Sequence, residues 1–290
     1  MKPILALGLA VLSALTSIPG SFARSDGEQV NRATEAGRAG HLSMVVAQFE
    51  MGRVAHAGGG LGKLTYTNSY EALNSNLAKG FQYFEIDFVL TRDGHLVCLH
   101  DWDVNFRRTF RSNTAGPLTL QEFLDLVAAN PRFESCTLDG LADWMTAHPE
   151  AYLVTDVKDD NVRALEQIRA VLPDSQRRVI PQIYYPAEFD AVKALGFEQI
   201  IWTLYRMAPS NLEVLQQVAA WEGPVAVTMP KAWAKSGLAL RLQARGFATY
   251  AHTVNSAPQM QRFIRDLGFT EVYTDFLDPE QAVAAPPGSP

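Results

Sequence analysis

The chain has 290 residues, of which 47% are hydrophobic and 19% are charged, with 25 Lys and Arg against 31 Asp and Glu. These values exclude a disordered chain, a collagen and a small disulfide-stapled protein. The net charge of −6 argues against a nucleic-acid partner, because proteins that bind nucleic acids usually carry a basic excess. Length alone suggests about two domains, whereas a single (β/α)8 barrel of about 250 residues fits equally well.

The N-terminal segment is typical of a secretory signal peptide. Lys2 precedes an apolar run over residues 4–15, and Ser21-Phe22-Ala23 supplies the small residues that a signal peptidase reads. We therefore predict cleavage after Ala23 and export to the periplasm or the extracellular space, with an uncleaved N-terminal anchor as the alternative. The apolar run is too short to span a bilayer, and no later stretch reaches 18 apolar residues, so we expect no obligate membrane insertion.

The remaining chain is predicted to hold one domain between two irregular ends. Residues 24–50 form a polar lead-in with a predicted helix near 36–49, residues 51–282 form the domain, and residues 283–290 form a predicted disordered tail. Cys98 and Cys136 are the two cysteines of the chain. An oxidising compartment permits a disulfide between them, and two buried thiols are the alternative.

Between residues 52 and 276, short apolar runs alternate with helical patterns. We predict strands at 54–57, 83–90, 152–157, 179–183, 200–204, 225–228, 248–253 and 271–274. Helices are predicted at 69–79, 120–129, 138–147, 162–171, 186–195, 211–220, 237–244 and 257–267. This alternation indicates parallel strands joined by helical crossovers. Eight such units predict a single-domain α/β TIM barrel, and a doubly wound open sheet is the alternative.

The second unit departs from this pattern. Its strand is followed by a turn at Asp93-Gly94 and a second short strand that ends at Leu99, which together predict a hairpin. Residues 102–118 then form a longer excursion before the helices resume.

Polar side chains lie at the C-terminal ends of the predicted strands, where TIM barrels carry their active sites. Glu85 and Asp87 share one face of strand two, because side chains two apart on a strand point the same way. With Asp156 at the end of strand three they form an oxygen-rich site suited to one divalent cation, Mg²⁺ or Ca²⁺. The alternative is a set of buried salt bridges to Lys158 and nearby arginines.

Two histidines flank this predicted metal site. The ordinary pKa of histidine suits His56 and His100 to general acid–base catalysis near neutral pH, and core histidines held by hydrogen bonds are the alternative. Lys158 adds positive charge, and the glycines at 58–60 allow backbone N–H groups to approach an anion. A metal, a lysine and two histidines together indicate an anionic phosphate ester as substrate.

The order of these motifs resembles the glycerophosphodiester phosphodiesterase family, within the superfamily that includes phosphatidylinositol-specific phospholipase C. The resemblance runs from about residue 54 to residue 279. It rests on His56-Ala57-Gly58, Asn68-Ser69, Glu85-Ile86-Asp87, Thr91-Arg92-Asp93-Gly94, His100-Asp101, Thr137-Leu138, Asp156-Val157-Lys158, Thr253-Val254-Asn255 and Thr274-Asp275.

The resemblance implies a metal-dependent phosphoric diester hydrolase that converts a glycerophosphodiester and water to an alcohol and glycerol 3-phosphate. It implies that His56 and His100 are the acid–base pair and that Lys158 contacts the phosphate. It also implies that the metal is held by Glu85, Asp87 and Asp156. The family suggests a cyclic phosphate intermediate formed by the neighbouring glycerol hydroxyl, and direct attack by water fits the two histidines equally.

Four departures from the family pattern bear on the substrate. Ala57 replaces the Arg that is usual in the family, and Thr67 replaces a frequent Glu. Asp156 replaces the usual Glu, and His252 replaces the usual Trp. A small-molecule or lipid-derived phosphodiester is the predicted partner, with lysophospholipid or phosphoinositide as alternative substrates. A non-catalytic ligand-binding barrel is disfavoured because both histidines and all three carboxylates are retained. Further possible pocket residues are Asn68, Trp202, Tyr205, Trp233 and His252.

Overall fold

The structure is a computed structural model that describes residues 49–114, 116–172 and 174–279, all within one compact unit. Its strands are β1 Val54–Ala55, β2 Tyr83–Leu90, β3 Leu96–Cys98, β4 Tyr152–Val157, β5 Val179–Ile183, β6 Ile200–Thr203, β7 Val225–Pro230, β8 Ala248–His252 and β9 Glu271–Thr274. Its α-helices are α1 Tyr70–Leu77, α2 Val104–Phe110, α3 Leu120–Ala128, α4 Leu138–Ala147, α5 Asn161–Val171, α6 Ser175–Arg178, α7 Phe189–Ala194, α8 Asn211–Ala220, α9 Leu238–Gln243 and α10 Ala257–Leu267.

The sheet closes on itself, because β1 pairs in parallel with both β2 and β9. Val54 lies between Tyr83 on one neighbour and Tyr273 on the other. The remaining parallel pairs follow chain order from β2 and β4 round to β9, and β3 adds an antiparallel strand on β2. The predicted single-domain TIM barrel and its hairpin are therefore confirmed, and the open doubly wound sheet is wrong.

Two of the differences from the predicted elements involve segments next to the predicted histidines. β1 ends at Ala55 rather than at residue 57, because His56–Gly58 turn into a 3-10 helix in which Ala57 has φ 51°. The excursion over residues 102–118 contains α2, which the sequence analysis did not predict. Phe106 and Phe110 on this helix pack against the aromatic ring of Phe123 and its neighbours, so α2 carries its own small apolar cluster.

The disulfide between Cys98 and Cys136 is present, with the two Cα atoms 5.0 Å apart. It joins β3 to the segment that leads into α4, and the backbone N–H of Cys98 also donates to the Cys136 carbonyl at 2.8 Å. The hairpin that precedes His100 is thus attached to the rest of the barrel by a covalent bond.

The N-terminal half of the barrel interior is apolar. Inward side chains from successive strands form one buried cluster, which Phe49 and Met51 close from below. The hydroxyl of Tyr250 donates to the Met51 carbonyl at 2.6 Å, which fixes this entering segment. Full burial of each large apolar side chain contributes about 1.5–3 kcal/mol. The polar inward positions therefore lie at the C-terminal ends of the strands.

Several helices begin at a residue whose side chain caps the first turn. Ser69 accepts a hydrogen bond from the backbone N–H of Ala72 at the start of α1, and Thr137 does the same for Gly140 at the start of α4. Each such cap is worth about 1 kcal/mol. Ser69 therefore fixes the chain at the point where the loop after β1 ends and α1 begins. Among the described helices, none has the length and apolar character needed to cross a bilayer.

The predicted signal peptide (1–23), almost all of the lead-in with its helix near 36–49, and the tail (283–290) lie outside the described residues.

Candidate active site

Three buried carboxylates meet at the C-terminal end of the barrel. Glu85 and Asp87 point inward from β2, and Asp156 on β4 lies directly beside Asp87 in the strand register. One oxygen from each side chain lies within 4.8 Å of the others. The three residues are 2%, 1% and 8% exposed, so their charges are largely removed from water.

Neighbouring polar groups hold each carboxylate in place. Asn68 donates to Asp87 Oδ2 at 3.0 Å and accepts from the Asp87 backbone N–H at 3.0 Å. Asp156 Oδ1 accepts from the hydroxyls of Tyr184 at 2.5 Å and Tyr205 at 2.7 Å. The Ala57 N–H donates to Glu85 Oε2 at 2.7 Å, whereas the buried Glu85 Oε1 has no hydrogen-bond partner among the described residues.

Lys158 forms salt bridges with two of the three carboxylates. Its Nζ lies 2.7 Å from Asp87 Oδ1 and 2.7 Å from Asp156 Oδ2. Burial and these two charges act in opposite directions on the lysine, and the charges prevail, so its pKa lies well above the ordinary value. The lysine therefore stays protonated and partly neutralises the cluster.

The third carboxylate remains short of positive charge. Burial and the charge of Asp87 raise the pKa of Glu85 to about 8. Burial also acts to raise the pKa of Asp156, but Lys158 and the tyrosine hydroxyls outweigh it and lower that pKa. Three clustered carboxylates with an unpartnered oxygen on Glu85 fit a divalent cation, because hard cations prefer oxygen ligands and would supply the missing charge.

His56 is held by a partner from the other end of the chain. Its Nδ1–H donates to Asp275 Oδ1 at 2.8 Å, and Asn255 donates to the second oxygen of Asp275 at 2.6 Å. Its Nε2 then faces the cluster, 4.0 Å from Glu85 Oε2. Burial disfavours the imidazolium, but Asp275, Glu85 and Asp87 outweigh it and raise the pKa of His56 to about 9. The histidine therefore carries a proton at neutral pH.

His100 is held by the residue that follows it. Its Nδ1–H donates to Asp101 Oδ2 at 2.8 Å, and Asn105 donates to Asp101 from both its backbone and its side chain. Burial acts against the ionised Asp101, but the hydrogen bonds from His100 and Asn105 prevail and lower its pKa to about 2. The Nε2 of His100 is thereby left as the basic nitrogen.

The predicted pocket residues divide into two groups. Asn68 and Tyr205 contact the cluster, as described above. His252 is a ring neighbour of Tyr205 at 5.8 Å, and burial and the charge of His56 lower its pKa to about 4. Trp202 instead packs in the helix-side core against Trp221, and Trp233 lies partly buried against the same core in a 3-10 helix after β7.

Two glycines of the run 58–60 have a different use from the predicted one. The N–H groups of Gly59 and Gly60 donate to the carbonyls of His56 and Asp275, so neither is free for an anion. A Cβ on Gly60 would lie 2.5 Å from the Asp275 carbonyl oxygen, and only glycine permits this approach. The run therefore connects the loop after β1 to the partner of His56.

Four residues of the site were not assigned a role from the sequence. Asp275 belongs to the Thr274-Asp275 motif, and Asn255 belongs to Thr253-Val254-Asn255. The motifs therefore indicated both residues, but they did not indicate that Asp275 pairs with His56. Tyr184 carried no signal beyond its place after β5. Tyr66 lies between the two histidine rings, and no motif pointed to it.

The comparisons with known proteins agree with this geometry. Residues 59–179 match the model of the glycerophosphoryl diester phosphodiesterase family. The matched part includes the three carboxylates, Lys158 and His100, whereas His56 and Asp275 lie outside it. The predicted resemblance, and with it the prediction of a phosphoric diester hydrolase, is confirmed. No curated protein matches the chain in the sequence comparison.

Solved structures of similar fold carry related descriptions. A glycerophosphodiester phosphodiesterase from Thermotoga maritima is 16% identical, with a TM-score of 0.60 over 79% of this chain and 96% of the other. A putative glycerophosphodiester phosphodiesterase from Galdieria sulphuraria is 16% identical, with a TM-score of 0.62 over 79% and 95%. A phosphodiesterase from Oleispira antarctica in complex with the product sn-glycerol-3-phosphate is 16% identical, with a TM-score of 0.61 over 82% and 95%.

Proposed function

We propose that this chain, which carries a domain of the glycerophosphoryl diester phosphodiesterase family, hydrolyses glycerophosphodiesters to an alcohol and glycerol 3-phosphate with a divalent cation and two histidines. The observation that carries the proposal is the position of His56 beside the acidic cluster, with His100 on the other side of the Tyr66 ring that both histidines contact. Each donates from Nδ1 to a carboxylate and keeps Nε2 for the reaction. A histidine oriented in this way is a recurrent element of acid–base catalysis.

Glu85, Asp87 and Asp156 are the residues that hold the cation in this proposal, either Mg²⁺ or Ca²⁺. When bound, the cation polarises the phosphoryl oxygens and offsets the negative charge that develops on them. Lys158 lies beside two of these ligands and contributes a fixed positive charge that favours an anionic phosphate. Tyr184 and Tyr205 orient Asp156 through their hydroxyls.

The two histidines take opposite roles in the proposed proton transfers. His100 Nε2 accepts the proton of the attacking hydroxyl, whether this belongs to water or to the neighbouring glycerol carbon, as the new P–O bond forms. His56 Nε2 delivers its proton to the alcohol oxygen as the old P–O bond breaks. Attack by water gives glycerol 3-phosphate directly. Attack by the glycerol hydroxyl gives a cyclic phosphate, and water then adds to phosphorus as a ring P–O bond breaks, with His56 accepting the proton of the water and His100 protonating the leaving ring oxygen. In the metal-free protein the pKa of His56 is raised to about 9, partly by its hydrogen bond to Asp275, and this hydrogen bond supports its role as the proton donor. Each such transfer typically contributes about 10²–10⁴-fold to the rate.

The experiment that tests this function measures release of glycerol 3-phosphate from glycerophosphocholine and glycerophosphoethanolamine by the purified protein. Reactions with Mg²⁺, with Ca²⁺ and with EDTA run in parallel with the variants His56→Ala and His100→Ala. We expect metal-dependent release by the parent protein and a loss of at least about 10²-fold in each variant. Circular dichroism spectra and thermal unfolding show whether each variant keeps the parent fold.

Lysophospholipid and phosphoinositide substrates complete the assay, because Ala57 removes a cationic side chain that the family pattern places next to His56. Product release from these lipids alone would change the assigned substrate class and leave the proposed catalytic site unchanged. Release that persists in EDTA would contradict the role of the cation. No turnover of any phosphodiester with either metal would contradict the enzymatic function and favour a ligand-binding barrel.

Export of the mature protein is part of the same proposal. The signal-peptide pattern that ends at Ala23 supports it, and a disulfide between Cys98 and Cys136 is typical of an oxidising compartment. Expression of the full chain in a Gram-negative host, followed by fractionation and N-terminal sequencing, tests it. We expect an N-terminus at residue 24 in the periplasmic or extracellular fraction, and an intact Met1 in the cytoplasm would contradict export.

A further inference from the structure

The ring of Tyr66 fills the space between the two histidines. Its centroid lies 4.7 Å from that of His56 and 5.0 Å from that of His100, and it meets each imidazole edge to face at 82° and 86°. The guanidinium of Arg108 lies 6.0 Å from the same ring on the side of α2. Tyr66 therefore contacts both histidines of the proposed acid–base pair at once.

The loop that carries Tyr66 is held at its ends and free between them. Gly60 on one side donates to the Asp275 carbonyl at 2.7 Å, and the Thr67 carbonyl on the other side accepts from Ser135 at 3.2 Å. Within the described part of the chain, residues 61–66 form hydrogen bonds only with each other, through the reciprocal pair of Leu61 and Leu64. The segment can therefore move as a unit without breaking hydrogen bonds to the barrel.

The position of this ring conflicts with that of a substrate. In the proposed function the phosphorus atom must lie between His56 and His100, because one histidine serves the attacking oxygen and the other the leaving oxygen. The same space holds a half-buried aromatic ring. Its hydroxyl has no hydrogen-bond partner within the described residues, so no polar contact fixes the ring there.

We propose that Tyr66 is a gate residue, which occupies the reaction position in the free enzyme and is displaced by the incoming phosphodiester. This inference rests on the proposed function and adds a determinant of substrate selection to it. Binding of a phosphate ester must replace the two ring–imidazole contacts, so the gate weakens every ligand that enters. The Kd of every such ligand is raised by the same factor, so an ester that makes few other contacts is the first to bind too weakly for turnover.

The test measures binding of glycerol 3-phosphate by calorimetry, with Mg²⁺ present, to the parent protein and to Tyr66→Ala, Tyr66→Phe and Leu64→Ala. Removal of the ring should lower the Kd about tenfold, in keeping with two aromatic contacts. Tyr66→Phe keeps the ring and should bind like the parent. Leu64→Ala is the matched control, because Leu64 is an exposed residue of the same loop. Its side chain has no ring, so the substitution removes no aromatic contact with the histidines.

A second measurement reports the gate directly. In the free parent protein the ring current of Tyr66 shifts the imidazole proton signals of His56 and His100, and Tyr66→Ala should remove that shift. Addition of glycerol 3-phosphate to the parent should move both signals towards their positions in the alanine variant. A merely structural tyrosine would keep its ring-current shift in the complex.

The outcomes distinguish a failure of the gate proposal from a failure of the proposed hydrolysis. An unchanged or raised Kd in a folded Tyr66→Ala variant contradicts the gate and leaves the proposed hydrolysis standing. Absence of binding to the parent and to Tyr66→Ala contradicts the proposed function, and the gate is then wrong with it. A lower KM for glycerophosphodiesters in Tyr66→Ala, with Leu64→Ala unchanged, supports both.

Discussion

The two histidine–aspartate pairs of the site are built in different ways. His56 and Asp275 are 219 residues apart and meet because β1 and β9 are neighbours in the closed barrel, and their side chains are 11% and 6% exposed. His100 and Asp101 are adjacent in the chain and remain 34% and 31% exposed. The first pair depends on the whole fold, whereas the second is a local feature of one loop.

This difference has an electrostatic consequence. Asp275 is screened little by water, so it contributes to a pKa of about 9 for His56. Asp101 lies near solvent, and partial burial acts to raise its pKa. Hydrogen bonds from His100, from Asn105 and from backbone N–H groups outweigh this burial and lower the pKa to about 2. The buried pair is therefore suited to keep a proton on its histidine, and the exposed pair is suited to orient its histidine.

The largest expected effect comes from removing the charge of each aspartate. Asp275→Asn should lower kcat about 10³-fold, because His56 then loses both its preferred tautomer and the charge that keeps it protonated. Asp101→Asn should lower kcat about tenfold, since the Asp101 side chain is 31% exposed and water can replace part of its effect. Steady-state kinetics with glycerophosphocholine measure both, and equal losses would show that the two pairs are equivalent.

The disulfide should matter on one side of the site only. The double variant Cys98→Ser, Cys136→Ser should lower the free energy of unfolding by about 2–4 kcal/mol, because the bond closes a long loop in the unfolded chain. Urea denaturation measures this loss. Hydrogen exchange should show lost protection in β3, which leads into His100, with protection of β1 and β9 retained. A uniform loss of protection across the barrel would contradict this local role.

Metal affinity should rise with pH. In the metal-free protein the pKa of Glu85 is raised to about 8, so at lower pH a proton must leave before the carboxylate can bind the cation. We expect the Kd for Mg²⁺ to fall about tenfold between pH 6.5 and pH 8, as measured by calorimetry in buffers of different ionisation enthalpy. A Kd that is constant over this range would place Glu85 outside the metal site.

The stability of the metal-free protein should change in the opposite sense. The folded pKa values of Glu85 and His56 are both raised, so the fold binds more protons than the unfolded chain. The lowered pKa of His252 offsets this difference below about pH 6.5, because there the unfolded chain protonates that histidine and the fold does not. Stability should therefore decrease chiefly as the pH rises from about 6.5 to about 9. Saturating Mg²⁺ should reduce this decrease in thermal unfolding, and identical curves with and without metal would contradict the linkage.

The smallest expected effect concerns the exposed pair. Asn105→Ala removes one side-chain hydrogen bond to Asp101, so the pKa of Asp101 should rise from about 2 by up to about one unit. The rate should fall only about threefold, because the backbone N–H groups of residues 103 and 105 still donate to Asp101. Carbon-detected titration by NMR measures the pKa, and a loss as large as that of Asp101→Asn would show that Asn105 has a role of its own.

Much of the barrel was predictable from the sequence because its signals are local. Strand periodicity located β2, β4, β5 and β9 with their observed bounds and placed Glu85 and Asp87 on one face. The adjacent pair His100-Asp101 could be read in the same way. Parallel pairing of β2 with β4 brought Asp156 next to Asp87, which is what the prediction of a shared site required.

The remaining features depend on contacts between distant segments. Asp275 meets His56 only when β9 pairs with β1, and the hydroxyl of Tyr184 reaches Asp156 from the neighbouring strand end. Trp202 was predicted to line the pocket because it is an aromatic residue near a strand end. The alternation of side chains along β6 instead directs it to the helix layer. The loop position of Tyr66 carries no periodic signal, so only the structure revealed its contacts with both histidines.

The division of labour between the two histidines is the central claim, and a change of leaving group tests it directly. Turnover of glycerophosphocholine and of a p-nitrophenyl phosphodiester is measured for the parent, His56→Ala and His100→Ala. Nitrophenolate leaves without protonation, so His56→Ala should lose about 10³-fold on glycerophosphocholine but less than about tenfold on the nitrophenyl ester, while His100→Ala loses activity on both. Equal losses of His56→Ala on both substrates, or the reverse pattern for the two histidines, would contradict the account.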